Sequence, residues 1–305
     1  MSDGAYQHTI ANTAMCAGVG VHSGERAKLV LKPAPENSGI RFVRTDVAGQ
    51  GRTVTAIGTS VSDVTLCTTL TNDAGVSVSV VEHLLAACAG MGIDNLTVEI
   101  DGVEVPIMDG SSLVFCELIR SAGLKAQRAR RRRIRILSDV MVEEGPRWAR
   151  LSPSDRDDLT FQARIDYDNP AIGVQQMSMR LTPGQFMDDV AFARTFGFAR
   201  DVEKLKAMGL ARGGSLDNAV VIDGDAVVNP EGLRADDEFV RHKLLDAIGD
   251  LMLAGAPIAG AYSANQPGHG INNQLVRKLL ATPQAWSWET AGASVEDAAP
   301  LQAFA

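Results

Sequence analysis

Nine residues in the C-terminal part of the chain, His242-Lys-Leu-Leu-Asp246-Ala-Ile-Gly-Asp250, place an imidazole and two carboxylates at four-residue steps inside an apolar stretch. On a helix those three groups share one face. Phe239, Leu244, Leu245, Ile248, Leu251 and Met252 recur at helical spacing around it, so the pattern directs this face into the core. Polar groups buried there need partners, and a divalent metal is one. The stretch therefore calls for a fold that carries complementary chemistry from elsewhere in the chain onto this helix. Taken alone, H-x-x-x-D is equally a solvated stripe on an amphipathic helix, and the rest of the sequence has to decide.

Two other segments bear on that decision. Ser79-Val-Val-Glu82-His83-Leu-Leu-Ala-Ala sets adjacent Glu and His near the start of a helix that is otherwise apolar up to Gly90, and Gly268-His269-Gly270-Ile-Asn272-Asn273 holds a histidine between two glycines where another helix begins. A hydrolytic zinc site usually takes three His or Asp/Glu ligands, leaves one position to water, and needs an unligated carboxylate to accept the water's proton. Glu82, His83, His242 and Asp246 would fill those four roles. His269 then serves as general acid for a leaving amine. Singly, each has a plainer reading: His83 as a satisfied core histidine, Glu82 as a charge favoured by the helix dipole, His269 as a turn residue. Jointly the plainer readings weaken, because three of the five histidines in the chain fall in these segments.

These segments, together with Gly18-Val-Gly-Val-His22-Ser-Gly24, Pro106-Ile-Met-Asp-Gly-Ser111, Ala193-Arg-Thr-Phe-Gly-Phe198, Gly213-Gly-Ser215 and the run from Phe239 to Asp250, resemble the UDP-3-O-acyl-N-acetylglucosamine deacetylase family, zinc amidases of lipid A synthesis. The motifs stand in family order from about His8 to about Leu280, and the run from Phe239 to Asp250 is the most specific of them. The resemblance implies hydrolysis of the acetamide of the sugar nucleotide, with one Zn2+ per chain, Fe2+ suiting the same ligands. It assigns Thr195 and Lys243 to the oxyanion and Asp250 to holding His269 protonated. It also makes 194–228 an acyl-chain passage, here walled by Phe196, Phe198, Val202, Leu210, Ala211, Gly214, Ala219 and Val221, residues that equally suit an ordinary βαβ core. Cys67 lies near the site by the same resemblance, or is simply a small buried residue. The family often carries a basic residue shortly before the Gly-His pair. Here the stretch reads Ala264-Asn265-Gln266-Pro267, so positive charge for the diphosphate falls to Arg147 or Arg241. The alternatives are an amidase of the same fold acting on another N-acyl substrate, and a non-enzymatic binding protein.

Composition is compatible and less specific. A chain of 305 residues with 45% apolar content builds one large domain or two ordinary ones. Four scattered cysteines without a C-x-x-C pair, and no signal-like segment after the first residues, lead us to expect a reducing cytoplasm, of Gram-negative type by the resemblance. No apolar run reaches the ~18 residues of a bilayer span, so membrane contact is at most peripheral. Residues 125–135 contain seven basic side chains and no acidic one in a chain of net charge −8. The expectation is a solvated connector at 127–133, because no aromatics interleave and the acidic remainder repels a polyanion. No nucleic-acid partner and a monomer are expected. Gly18 to Gly24 is not read as a dinucleotide loop, since strand rather than helix follows it.

That basic run is the expected domain boundary. Residues 1–126 read as a first α+β domain carrying Glu82 and His83, and 134–291 as a second carrying His242, Asp246 and His269. A loose tail is expected over 292–305, anchored by Trp286 and Trp288. Strands are expected at 28–31, 40–44, 76–80, 95–100, 134–142, 148–151, 159–166 and 258–264, and helices from Glu82, at 112–122, around His242 and at 272–280. In each half a ligand-bearing helix leads through a glycine stop (Gly90, Gly255) to a short apolar strand, a Gly-containing turn and a final helix. We read a duplication, with the metal at the seam. The resemblance implies the same: two similar domains, each a sheet plus a helix layer, packed helix layer to helix layer.

Overall fold

The computed structural model describes residues 3–291; the tail expected over 292–305 lies outside the described residues. The architecture is mixed α+β. Alternation builds the first sheet: Ala27, Leu29 and Leu31 turn inward from strand Arg26–Pro33, and Leu96, Val98 and Ile100 from Leu96–Ile100, as half-buried strands require. Its five strands run in the order Ala14–Val19, Arg26–Pro33, Leu96–Ile100, Ile40–Arg44 and Thr53–Thr55.

A seven-stranded sheet forms from the later residues. Its path is Val140–Glu144, Arg147–Ser152, Ile258–Asn265, Arg132–Ile136 and Trp286–Thr290, and Leu159–Asp166 pairs in parallel with Ile258–Asn265 while carrying Val174–Arg180 on its other edge. Six helices accompany these sheets among the described residues: α1 Glu82–Gly90, α2 Leu113–Ala122, α3 Pro183–Asp189, α4 Ala199–Ala207, α5 Glu238–Met252 and α6 His269–Leu280. Residues of both large sheets and of α1, α2, α5 and α6 share one contiguous hydrophobic cluster.

The packing of α1 on α5 is what positions the site. Helix α1 is buried around nearly its whole circumference, as an all-round apolar helix must be. The two helices approach so closely that a Cβ on Gly249 would stand 2.1 Å from the carbonyl oxygen of Glu82. Gly249→Ala therefore has two opposed effects. Helix propensity favours alanine by ~1 kcal/mol, while forcing the backbones apart costs about 3 kcal/mol. The expected result is a net loss of stability, read as a lower denaturation midpoint; an unchanged or raised midpoint would contradict the close approach.

Three local expectations are corrected. The strand expected over 134–142 is two strands, Arg132–Ile136 inside the sheet and Val140–Glu144 at its edge, because the chain turns at exposed Leu137 and Ser138-Asp139. The stretch 127–133 is not a solvated connector. Leu124–Arg130 pairs antiparallel with Tyr6–Ile10, Arg132–Ile136 joins the second sheet, and Arg131 alone lies between. Arginines within it and just beyond meet distant partners: Arg131 pairs with Asp94, Arg133 and Arg135 with Asp157 and Glu289, and Arg132 stacks over Trp288 at 4.2 Å. A strand alternates its side chains between two faces, so Arg132 turns to the Trp288 ring while Arg133 and Arg135 share the opposite face, where the remote carboxylates of Asp157 and Glu289 meet both. Helix α6 begins at His269, three residues earlier than expected.

Candidate metal centre and active site

Helical spacing brings His242 and Asp246 together on α5, with Nε2 3.4 Å from Oδ1. From α1, His83 presents its Nε2 3.7 Å from the same oxygen, and the two imidazole rings stand at 88° to one another. All three residues are buried, and their ligand atoms lie within 4.8 Å of one another. Donor atoms ~2 Å from a tetrahedral ion are spaced about 3.3–3.5 Å apart, close to the separations found here. Asp246 Oδ1 is buried without a hydrogen-bond partner, an arrangement that is costly unless a cation completes it. The group could thus hold a divalent metal.

Electrostatics favours the ligating forms. His242 Nδ1 lies 3.0 Å from the Ala193 carbonyl oxygen; that oxygen only accepts, so Nδ1 carries the proton and Nε2 offers its lone pair. Burial, reinforced by His242, pushes the His83 pKa down to about 3, and burial likewise lowers that of His242. Burial opposes ionisation of Asp246, but His242 and Lys243 outweigh it and hold the carboxyl well below its ordinary range. Lys243 Nζ sits 3.0 Å from Asp246 Oδ2 and over the Phe196 ring. Burial works against its charge, yet Asp246 keeps its pKa raised.

Beside this group stand Glu82 and His269. Glu82 Oε2 accepts the Thr68 backbone N–H at 3.0 Å, and Oε1 lies 3.8 Å from His269 Nε2. Burial raises the Glu82 pKa to about 7, with His269 restraining the rise. For His269 burial acts downward, but the Asp250 and Glu82 carboxylates prevail and lift it to about 10. His269 Nδ1 donates to Asp250 Oδ2 at 3.0 Å. A carboxylate of raised pKa facing an imidazolium is a pairing suited to proton acceptance and donation.

Four residues here carry no assigned role in the sequence reading of the site, although Asn272 and His22 stand within its motifs. Thr68, Asn272 and Tyr262 form hydrogen bonds leading to Asp250, and His22 has its pKa lowered by burial and by His269, against the pull of Glu104. Asn272 follows His269 by three residues on α6, a same-face spacing that was available as a signal. Nothing around Thr68 signals its place.

The segment expected to bind substrate starts beside the metal group. Arg194, 1% exposed, is locked to Glu238 of α5, and Thr195 follows, its N–H donated to the Gly110 oxygen. Phe196 packs edge-on against Phe239 and lies 6.3 Å from the His242 ring, with Tyr167 against both Phe196 and Phe198. Phe196–Phe198, α4 and Val220–Asp223 make a parallel βαβ unit. Helix α4, with Val202, has no buried residue, and Met208 is 60% exposed, so this unit is not closed as ordinary core. Ala219 and Val221 are half-buried and Gly214 is exposed. Ala211 is half-buried too, and its N–H points to His22 Nδ1 at 3.4 Å. Cys67 is buried against Val80 and Ile107, its thiol pushed up to about 12 by burial and the Glu82 charge. Arg147 is exposed at the start of strand Arg147–Ser152. Arg241 is engaged with Asp237 and Asp189.

The profile of the family described as UDP-3-O-acyl N-acetylglycosamine deacetylase matches residues 7–281. The UDP-3-O-acyl-N-acetylglucosamine deacetylase of Phenylobacterium zucineum is 49% identical over 285 residues, covering 93% of this chain and 97% of that protein. Its counterpart in Shewanella frigidimarina is 48% identical over 92% of each chain. That of Chromobacterium violaceum is 47% identical over 97% of this chain and 95% of its own.

Proposed function

This chain belongs to the UDP-3-O-acyl-N-acetylglucosamine deacetylase family, and from that membership we propose which residues carry out the reaction. The chain is an amide hydrolase: it removes the acetyl group of UDP-3-O-acyl-N-acetylglucosamine, a step of lipid A biosynthesis, releasing acetate and the free amine. The observation that carries the residue assignment is the unpartnered Asp246 Oδ1 between two neutral imidazoles, with Glu82 and His269 beside it.

His83, His242 and Asp246 hold one Zn2+, for which Fe2+ can substitute. The ion supplies Lewis acidity, polarising water and the acetyl carbonyl. Glu82 accepts the proton of the attacking water. Thr195 and Lys243 face the oxygen on which negative charge develops. His269, kept cationic by Asp250, gives its Nε2 proton to the departing nitrogen as the C–N bond breaks. Phe196, Phe198, Val202, Ala211, Gly214, Ala219 and Val221 accept the acyl chain along the unclosed α4 unit, and Arg147 serves the diphosphate. We read the two halves as duplicated domains, 1–126 and 134–291, meeting where α1 crosses α5. We place the enzyme in the cytoplasm as a monomer; no helix among the described residues is long and apolar enough to cross a membrane.

The test is acetate release from UDP-3-O-acyl-N-acetylglucosamine by metal-replete protein, followed across pH. Release is expected, with an alkaline limb. A histidine of raised pKa is charged below that pKa and loses its proton as pH rises through it, so activity falls on approach to about 10. A bound cation shifts the fall lower. The limb should vanish in His269→Gln at its reduced rate. Absence of release from folded, replete protein would overturn the substrate, and an alkaline limb unchanged in His269→Gln would overturn the acid.

A further inference from the structure

The carboxylate of Asp250 is buried, and both of its oxygens are committed. Oδ1 accepts the Thr68 hydroxyl at 2.7 Å. Oδ2 accepts His269 Nδ1 at 3.0 Å and the Asn272 amide N–H at 2.9 Å. The Asn272 amide is itself oriented, because its Oδ1 accepts the Tyr262 hydroxyl at 2.7 Å. Were that amide turned over, its oxygen would face the carboxylate and its NH2 the tyrosine, losing the donor to Asp250. Tyr262 stays a donor: burial, with the Asp250 charge, raises its phenol pKa well above the ordinary value. Thr68, Asn272 and Tyr262 are all buried, so water does not replace a missing partner.

Thr68 does more than hold one oxygen. Its backbone N–H donates to Glu82 Oε2, and its carbonyl accepts from Val81 just before α1. One residue thus ties the proton-accepting side of the site to the proton-donating side, across 14 and 182 positions of sequence.

We propose that Thr68, Asn272 and Tyr262 are positioning residues that fix the plane of Asp250, so that His269 presents its Nε2 proton toward the leaving nitrogen. None of the three reaches a reacting atom; each acts through Asp250. A carboxylate held from both sides fixes the ring to which it bonds, and a general acid delivers its proton only from within hydrogen-bond reach of the leaving atom. The inference rests on the reading of His269 as the acid.

The experiment uses the full metal-replete chain with Thr68→Val, Thr68→Ser and Tyr262→Phe, each in the wild-type and in the Asp250→Asn background. Thr68→Val removes only the hydroxyl bond to Asp250 and keeps the backbone bond to Glu82. It is expected to lower kcat about tenfold, with KM and bound metal unchanged, and Thr68→Ser to restore it. Tyr262→Phe is expected to lower kcat about threefold. In the Asp250→Asn background neither Thr68→Val nor Tyr262→Phe should lower kcat further, since the group through which they act has been neutralised. Equal losses in both backgrounds would reduce the network to a structural role and overturn the proposal. So would an Asp250→Asn enzyme that is impaired while the single Thr68→Val and Tyr262→Phe enzymes are not. An Asp250→Asn enzyme with wild-type kcat would also overturn the proposal, because the group through which the three residues act would then contribute nothing, whereas the alkaline limb in His269→Gln decides separately whether His269 is the acid.

Discussion

Asp246→Ala is expected to leave the purified chain without bound metal at equimolar zinc and to lower acetate release about 10^4-fold. The magnitude follows from what the ion supplies: a Lewis acid contributes several kcal/mol to stabilising developing charge, and each 1.4 kcal/mol is tenfold in rate. Asp246 is the sensitive position because it is the single carboxylate of the group, it lies within 3.4 and 3.7 Å of both ligand nitrogens, and its other oxygen holds Lys243. Truncation removes the only negative ligand and frees the ammonium to repel an incoming cation. Metal analysis with parallel rate measurements provides the check, and wild-type protein stripped by chelator should fall to the same level. A variant that retained one metal per chain and near wild-type turnover would exclude Asp246 as a ligand.

Glu82→Gln is expected to produce a different failure: kcat down about 10^3-fold, within the range typical of a lost general base, with bound metal and KM preserved. Glutamine keeps the size of the side chain and an oxygen to accept the Thr68 N–H, but it cannot take up a proton. Stability should move the opposite way from activity. Burial raises the Glu82 pKa above its ordinary value to about 7, so at neutral pH the ionised carboxylate opposes folding of the metal-free protein. A neutral amide removes that opposition. The metal-free variant is therefore expected to unfold at the same or a higher temperature than metal-free wild type, the usual trade between a strained functional group and stability. Thermal unfolding and single-turnover kinetics measure the two effects. Turnover within tenfold of wild type would remove Glu82 from the role of base.

Much of the site was legible in the sequence for one physical reason. The i,i+4 geometry of α5 is a local property, so His242, Asp246 and Asp250 had to share a face whatever the rest of the fold became. The apolar residues around that face required burial, and burial of those groups required partners. Strand Leu159–Asp166 was legible for a similar reason, because alternation with period two specifies a half-buried strand over a few residues. The strand expected over 134–142 failed where the turn at Ser138-Asp139 interrupts an apolar pattern that resumes on its far side.

The charge count of 125–135 misled because counting along the chain ignores the two faces of a strand. Asp94, which pairs with Arg131, and Asp157 and Glu289, which pair with Arg133 and Arg135, lie far from them in sequence. Likewise the need for a third ligand could be read from α5, but the contact that delivers His83 depends on Gly249 meeting the backbone of Glu82, a steric fact of two helices and not of either one. Thr68 makes the point most sharply: a threonine between Cys67 and Thr69 has no distinguishing neighbour, and its importance comes from facing Glu82 and Asp250 at once. Short-range periodicity and covalent spacing determined the elements and the chemistry each could offer. Tertiary packing decided which of those groups share a site, and through burial and mutual charge it set Glu82 to about 7 and His269 to about 10, because desolvation and Coulomb interaction depend on distance in space rather than along the chain.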